Sequence, residues 1–267
     1  MIRRIIRWLV SGGVSDFVLN LHHRPETITA VVGDGADLGA RVRYSWEQPT
    51  LLGSGGGPRL ALPLVGADPF FIVNGDTLTD VGLAALADAH TRTGALVTLA
   101  LVPNREFDRY GGVCVDREGC VTGFVPRGPA AKGSYHYIGV QISAAAAFSA
   151  IAPGAVARSI GGLYDALMPA RPGAIRGYVT DAAFWDVGTV ADYRATSAAF
   201  EAREPSAPPR GRHAPRIDPS ARVVGSILWD DVEIGADAVI ENCIVTDRVQ
   251  VPPRAVHRGE ILMAHPE

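Results

Sequence analysis

Two stretches of the chain end an apolar run in a carboxylate beside a glycine: FFIVNGD at 70–76 and FWDVG at 184–188. Glycine lets backbone approach a ligand closely, and a carboxylate offers a hard oxygen to Mg2+ or to a hydroxyl. Asp76 and Asp186, both at the ends of strand-like runs, can therefore share one metal ion. Each also has a plainer reading, Asp76 in a turn and Asp186 as the cap of the helix that follows. A third stretch, LLGSGGG at 51–57, comes after a strand-like run and opens a helical one. Through their amides, Gly53, Ser54, Gly55 and Gly56 can cradle a phosphate or lie flat against a base. Their spacing matches neither a P-loop nor a dinucleotide fingerprint, and a surface loop is the alternative.

Other candidates carry less. Tyr110-Gly111-Gly112 admits a ligand to the sheet or makes a turn. His22-His23 has no third ligand at a metal-like spacing, which favours a surface or packing role. The chain has no G-x-S-x-G, no H-E-x-x-H and no Cys/His nucleophile pattern, so hydrolysis by a triad is not expected.

The elements that must position these residues alternate. Strand-like runs at 15–23, 40–47, 69–75 and 95–102 are separated by helical stretches at 25–35, 57–65 and 80–93. Continuous apolar strands alternating with helices imply an α/β class and a mostly parallel, Rossmann-like sheet covered on both faces. In such a sheet ligands bind outside the carboxyl ends of the strands, where Asp76 falls. Ile2, Ile5, Ile6, Leu9 and Val10 recur with helical spacing, Arg3, Arg4 and Arg7 lie on the other face, and Gly12-Gly13 end the run. From 111 to 142 short strands broken by Gly, Asp and Pro predict a mixed extension or lid. Helical segments at 144–150 and 160–170, strands AIRGYVT and AFWDVG, and a last helix at 190–203 complete an expected domain of residues 1–203.

Residues 204–216, rich in Pro and Arg, read as a linker. Beyond it Ile217 and Val223, Ile234 and Ile240, and Ala238 and Ile244 stand six apart. A six-residue period with one aliphatic phase predicts a short β-helix over 217–262, of about two coils.

Composition bounds the function. With 47% hydrophobic and 20% charged residues and a net charge of −3, the chain has a globular balance and no sign of a nucleic-acid binder. No apolar run approaches the roughly 18 residues of a membrane span. Cys114, Cys120 and Cys243 include no C-x-x-C pair, so a reducing cytoplasm is expected, with neither a disulfide framework nor a zinc site.

In this order, EQPTLLGSGGGPRLALPLV, FFIVNGDTLTD, YGGV and FWDVGTVADY resemble the sugar-1-phosphate nucleotidyltransferases, also called NDP-sugar pyrophosphorylases. The tail ILWDDVEIGADAVIENCIVTDRVQVP is similar to the short left-handed β-helix of mannose-1-phosphate guanylyltransferases, while LHHRPETI through NGD is also similar to the amino-sugar-1-phosphate uridylyltransferases. The resemblance implies attack by a sugar 1-phosphate on the α-phosphorus of a nucleoside triphosphate, with GTP and mannose 1-phosphate as the expected pair. It implies Mg2+ on Asp76 and Asp186, the base against Gly53, Ser54, Gly55 and Gly56, the sugar by Gly111, and Arg127 near the position of a catalytic lysine. It also implies self-association through the β-helix. Family members open with a strand, a Gly-x-Gly-Thr-Arg loop and a Pro-Lys-Pro segment; this sequence opens at the helix that follows them, and Lys132 is its only lysine. The resemblance thus also implies a chain short of the triphosphate loop, or a homologue that binds without catalysing.

Overall fold

A computed structural model describes residues 1–203 and 214–264. The chain divides into two compact units, Met1–Val187 and Gly188–Glu267. Of the expected linker, 204–213 lie outside the described residues, and Arg216 already begins a strand.

The first unit opens with α1 (Ile2–Ser11), whose Ile5, Ile6 and Leu9 are buried as the periodicity predicts. Gly12 closes it, donating its N–H to the carbonyls of Trp8 and Leu9. β1 (Asp16–Leu21) and β2 (Arg41–Trp46) pair in parallel and flank α2 (Pro25–Val32), which has Pro25 in its first turn. Then come α3 (Gly53–Ala61), β3 (Phe70–Val73), β4 (Thr77–Thr79), α4 (Leu83–Thr93) and β5 (Val97–Pro103). β6 (Gly112–Val115) and β7 (Val121–Val125) form an antiparallel pair, followed by β8 (Tyr135–Ser143), α5 (Tyr164–Ala170), β9 (Ile175–Val179) and β10 (Phe184–Asp186).

β3 and β5 both run antiparallel to β8, hence parallel to each other, and β9 runs parallel to β5. The parallel framework therefore exists, with β8 wedged into it. The 111–142 region is expected to be a mixed extension or lid; β6 and β7 do extend the sheet, but β8 lies between β3 and β5 and is buried from Ile138 to Ser143. Its polar residues conceal this. Gln141 donates to the Ser143 and Tyr164 hydroxyls and accepts from the Tyr137 hydroxyl, so burial costs these groups no hydrogen bond. Val97, Leu99 and Leu101 of β5 are fully buried, each worth about 1.5–3 kcal/mol relative to exposure.

β1 and β2 form a two-stranded sheet of their own. Side chains of β1, β2 and β3 nonetheless share one apolar cluster with α1, including Ile6, Leu9, Phe17, Val42, Phe71 and Val73. All four residues of β3 are only half-buried, although its sequence predicts a strand covered on both faces.

Among its described residues the second unit holds α6 (Val190–Arg203) and nine short strands: β11 (Arg216–Ile217), β12 (Arg222–Val224), β13 (Ile227–Leu228), β14 (Glu233–Ile234), β15 (Val239–Glu241), β16 (Ile244–Val245), β17 (Gln250–Val251), β18 (Val256–Arg258) and β19 (Ile261–Leu262). They stack as three parallel three-stranded sheets, the arrangement of a short left-handed β-helix. Its ladders are Ile217-Ile234-Val251, Val223-Ile240-His257 and Leu228-Val245-Leu262. There are thus three rungs rather than the two expected, because one step of each shortens to five residues, as from Val223 to Leu228, and hides the period. Asp231, Asp237, Asn242, Arg248 and Arg254 adopt left-handed backbone in this unit.

Candidate active site

The apolar run of β3 stops where the chain turns through Asn74, Gly75 and Asp76, all exposed. The floor of this turn is Gly139 of β8, whose carbonyl accepts from the Asn74 N–H at 2.8 Å. Gly139 has φ +75°, and a Cβ there would lie 3.0 Å from both Asn74 Cβ and Thr77 Oγ1, so only glycine lets the turn sit this close. Directly after the turn, β4 pairs antiparallel with β10, placing Asp186 opposite Thr77. The Val187 N–H donates to the Asp76 carbonyl at 2.8 Å. Asp76 and Asp186 therefore occupy adjoining positions on one ribbon. They meet on an antiparallel pair, not at the ends of two parallel strands, because Thr77–Thr79 forms a strand where the sequence reads as a turn into α4.

A second group comes from the loop before β6. Arg109 Nη2 lies 3.5 Å from Asp186 Oδ2 and Nη1 lies 3.9 Å from Glu106 Oε2, with the guanidinium carbon 4.8 Å from the centre of the Tyr110 ring. Tyr110 packs 4.1 Å from the His136 ring, which lies 4.9 Å from Phe184, two residues before Asp186. Asn104 is buried and donates from Nδ2 to the carbonyls of Tyr110 and Gly111, and the His136 ring also hydrogen-bonds the Gly111 backbone. Gly111 itself is exposed, and a Cβ there would come within 3.0 Å of the Val125 carbonyl. Burial pushes the His136 imidazole down to about 4, against the upward pull of Asp186 and of the Gly111 bond, with Arg109 adding a smaller downward push. At neutral pH His136 is uncharged. Three consecutive residues, Arg109, Tyr110 and Gly111, are thereby tied to the strand that carries Asp186.

The glycine-rich stretch is the start of α3 itself. Gly55 and Gly56 are buried, and their N–H groups donate to the Ala157 carbonyl at 2.9 and 3.2 Å. A Cβ on Gly56 would fall 2.3 Å from the Ala155 carbonyl oxygen. These two residues let α3 press against the 155–157 segment, in place of the ligand-facing amides expected of them. Gly53 and Ser54 lie nearer the surface, where the Ser54 hydroxyl accepts from the Ser159 N–H. The buried carboxylate of Glu47 holds this end: Oε2 accepts from the Leu52 N–H at 2.7 Å and Oε1 from Asn20 Nδ2 at 3.1 Å. Arg127 is exposed just beyond β7, its backbone close to Gly111, and makes no ion pair with Asp76 or Asp186.

Among the described residues no cluster of three or more His, Cys, Asp and Glu could hold a metal. Two carboxylates suit Mg2+, which uses one or two of them and completes its octahedron with water and substrate phosphates. The guanidinium beside Asp186 shows that a cation is accommodated there. Arg109, Asn104 and His136 are the residues that sequence reasoning passed over; the one local signal is a cation directly before Tyr110-Gly111.

The Nucleotidyl transferase family matches residues 1–203, and a GlmU-like, C-terminal hexapeptide family matches 212–258. The chain belongs to the nucleotidyl transferase family. Within it, this nucleotidyltransferase groups with the sugar-1-phosphate enzymes. It is 27% identical over 253 residues to a mannose-1-phosphate guanylyltransferase of Mycobacterium tuberculosis, covering 91% of this chain and 70% of the relative. It is 31% identical over 191 residues to a D-glycero-alpha-D-manno-heptose 1-phosphate guanylyltransferase of Aneurinibacillus thermoaerophilus, covering 71% of this chain and 80% of the relative. In fold the nucleotidyltransferase is similar to HddC from Yersinia pseudotuberculosis complexed with GMP-PN, with TM-score 0.64, 21% identity and coverage of 74% of this chain and 84% of that one. None of its helices, among the described residues, is long and apolar enough to cross a membrane.

Proposed function

We propose that the chain transfers a nucleotidyl group from a nucleoside triphosphate to a sugar 1-phosphate, releasing pyrophosphate, with GTP and mannose 1-phosphate as the substrates. The adjoining placement of Asp76 and Asp186 carries this reading. A phosphate oxygen of the sugar 1-phosphate attacks the α-phosphorus, and the bond from the α-phosphorus to the bridging oxygen breaks toward pyrophosphate. Both reactants are anionic, so catalysis is alignment plus cancellation of charge. Asp76 and Asp186 would hold Mg2+, which supplies positive charge against the α-phosphate and the sugar phosphate. Gly111, fixed by Asn104 and His136, lines the sugar; Gly53 and Ser54 face the base, with Gly55 and Gly56 keeping α3 tight behind them. Arg127 is the phosphate cation that the family resemblance supplies. The two guanylyltransferase relatives support the choice of guanine.

The cytoplasm as working compartment belongs to the same proposal, supported by free Cys114, Cys120 and Cys243, as does self-association through the β-helix. The test is a pyrophosphate-release assay with Mg2+, GTP and mannose 1-phosphate. Turnover is expected, with Asp76→Asn lowering it by about 100-fold or more, since one electrostatic group is worth about 2.7–4 kcal/mol. Binding of GDP-mannose with no turnover would leave a binding role.

A further inference from the structure

Asn104 directly follows β5 and is 7% exposed, and its backbone N–H donates to the Ser134 carbonyl at 3.0 Å. Its Nδ2 donates to two consecutive carbonyls, that of Tyr110 at 3.2 Å and that of Gly111 at 3.3 Å. The His136 ring, near the start of β8, hydrogen-bonds the same Gly111 backbone. We infer that Asn104 and His136 are positioning residues for the sugar: they turn the carbonyls of 110 and 111 inward and so aim the Gly111 N–H at a hydroxyl of the sugar 1-phosphate. This deepens the reaction proposed above and rests on it.

Peptide planarity links the latch to the ligand. The Tyr110–Gly111 bond is trans, and in a trans peptide the C=O and the following N–H point in opposite directions. Drawing the Tyr110 carbonyl toward the buried Asn104 amide therefore turns the Gly111 N–H away from the interior. Gly111 is exposed, and its N–H has no hydrogen-bond partner among the described residues. Gly112 enters the β6–β7 ladder opposite Val125, which fixes the loop from its other side. A single neutral N–H of set direction is matched to a hydroxyl oxygen, whereas the phosphate is drawn to charge.

The orientation of the Asn104 amide is dictated by the loop. Two carbonyls require the NH2 side, which leaves Oδ1 buried with no partner. An acceptor left in this way destabilises the fold. It is the consequence of committing the NH2 to Tyr110 and Gly111, and a residue there for stability alone would not need it.

The experiment compares the wild-type chain with N104A, H136F and H136N. Binding of mannose 1-phosphate and of GTP, each alone, is measured by calorimetry at saturating Mn2+, and a urea midpoint is taken for every variant. N104A and H136F are expected to weaken mannose 1-phosphate about 3- to 10-fold, the scale of one neutral hydrogen bond, and to leave the GTP constant unchanged. H136N carries an amide donor in place of the ring N–H and should recover part of what H136F loses. N104A removes the orphaned Oδ1 together with the NH2, so its urea midpoint should change little while sugar binding falls. Because both residues hold one loop, N104A/H136F should weaken the sugar by less than the product of the two single effects. A sugar constant unchanged in N104A, or a GTP constant weakened as much as the sugar constant, overturns the assignment while the reaction stands. Should N104A lack a cooperative urea transition, H136F against H136N decides by the same two constants. If the wild-type chain binds neither ligand, the reaction falls, and the role of Asn104 and His136 with it.

Discussion

His136 stands between the loop that carries Gly111 and the strand that carries Asp186, and its protonation state is set by that position. An imidazole free in the unfolded chain titrates near 6.5, whereas in the fold burial holds His136 to about 4. Between these values the unfolded chain binds a proton that the folded one does not. Stability is therefore full above about 6.5 and is lost as pH falls toward 4. Urea denaturation at pH 7 and pH 5 should show a smaller loss on acidification in His136→Asn than in the wild type. Of this site, Asp76 and Asp186 were legible in the sequence because an apolar run that ends in glycine and carboxylate is unusual locally. Arg109, Asn104 and His136 were not. Their roles depend on which residues β8 and β10 bring opposite the 104–111 loop, and no local spacing records that.

Among the elements, β8 does most to build the site. Its Gly139 forms the floor under the Asp76 turn, so Gly139→Ala should cost about 1–2 kcal/mol through its left-handed backbone alone. Because the added methyl also pushes on Asn74 and Thr77, Mn2+ affinity should fall further than stability does. Urea midpoints and Mn2+ titration of the same preparation check both. The β-helix offers the reverse case. Arg254 sits in left-handed backbone at φ +63°, and Arg254→Gly should stabilise the chain by about 1 kcal/mol, read as a higher urea midpoint. Element type followed the hydrophobic pattern where it is strong, one apolar face in α1 and α4 and a continuous apolar run in β5. It fell short where side chains are too small to show a period, and it did not fix where a strand sits in the sheet. The glycines of 53–57 form a helix by packing against 155–157, and the network around Gln141 makes a polar-looking strand central.

At the scale of the molecule, the alternation of strand and helix announced the α/β unit, and the six-residue step announced the coiled tail, but the number of rungs was masked by the shortened step. The last rung leaves Val256, Ile261 and Met263 exposed, at 55%, 45% and 70%. Burying them against a second copy is the expected basis of self-association, so Ile261→Asp with Met263→Asp should lower the mass seen in sedimentation to that of a single chain while turnover persists. The ladders of the tail place each inward residue seventeen positions after the one beneath it, as Ile217, Ile234 and Val251 do. Length changes here are consequently quantised: a loss or gain of seventeen residues returns every aliphatic side chain to the axis, whereas a loss of six turns part of the next storey's lining toward solvent. Descendants of this chain can thus grow or shorten the tail by whole storeys while the catalytic unit keeps its sequence.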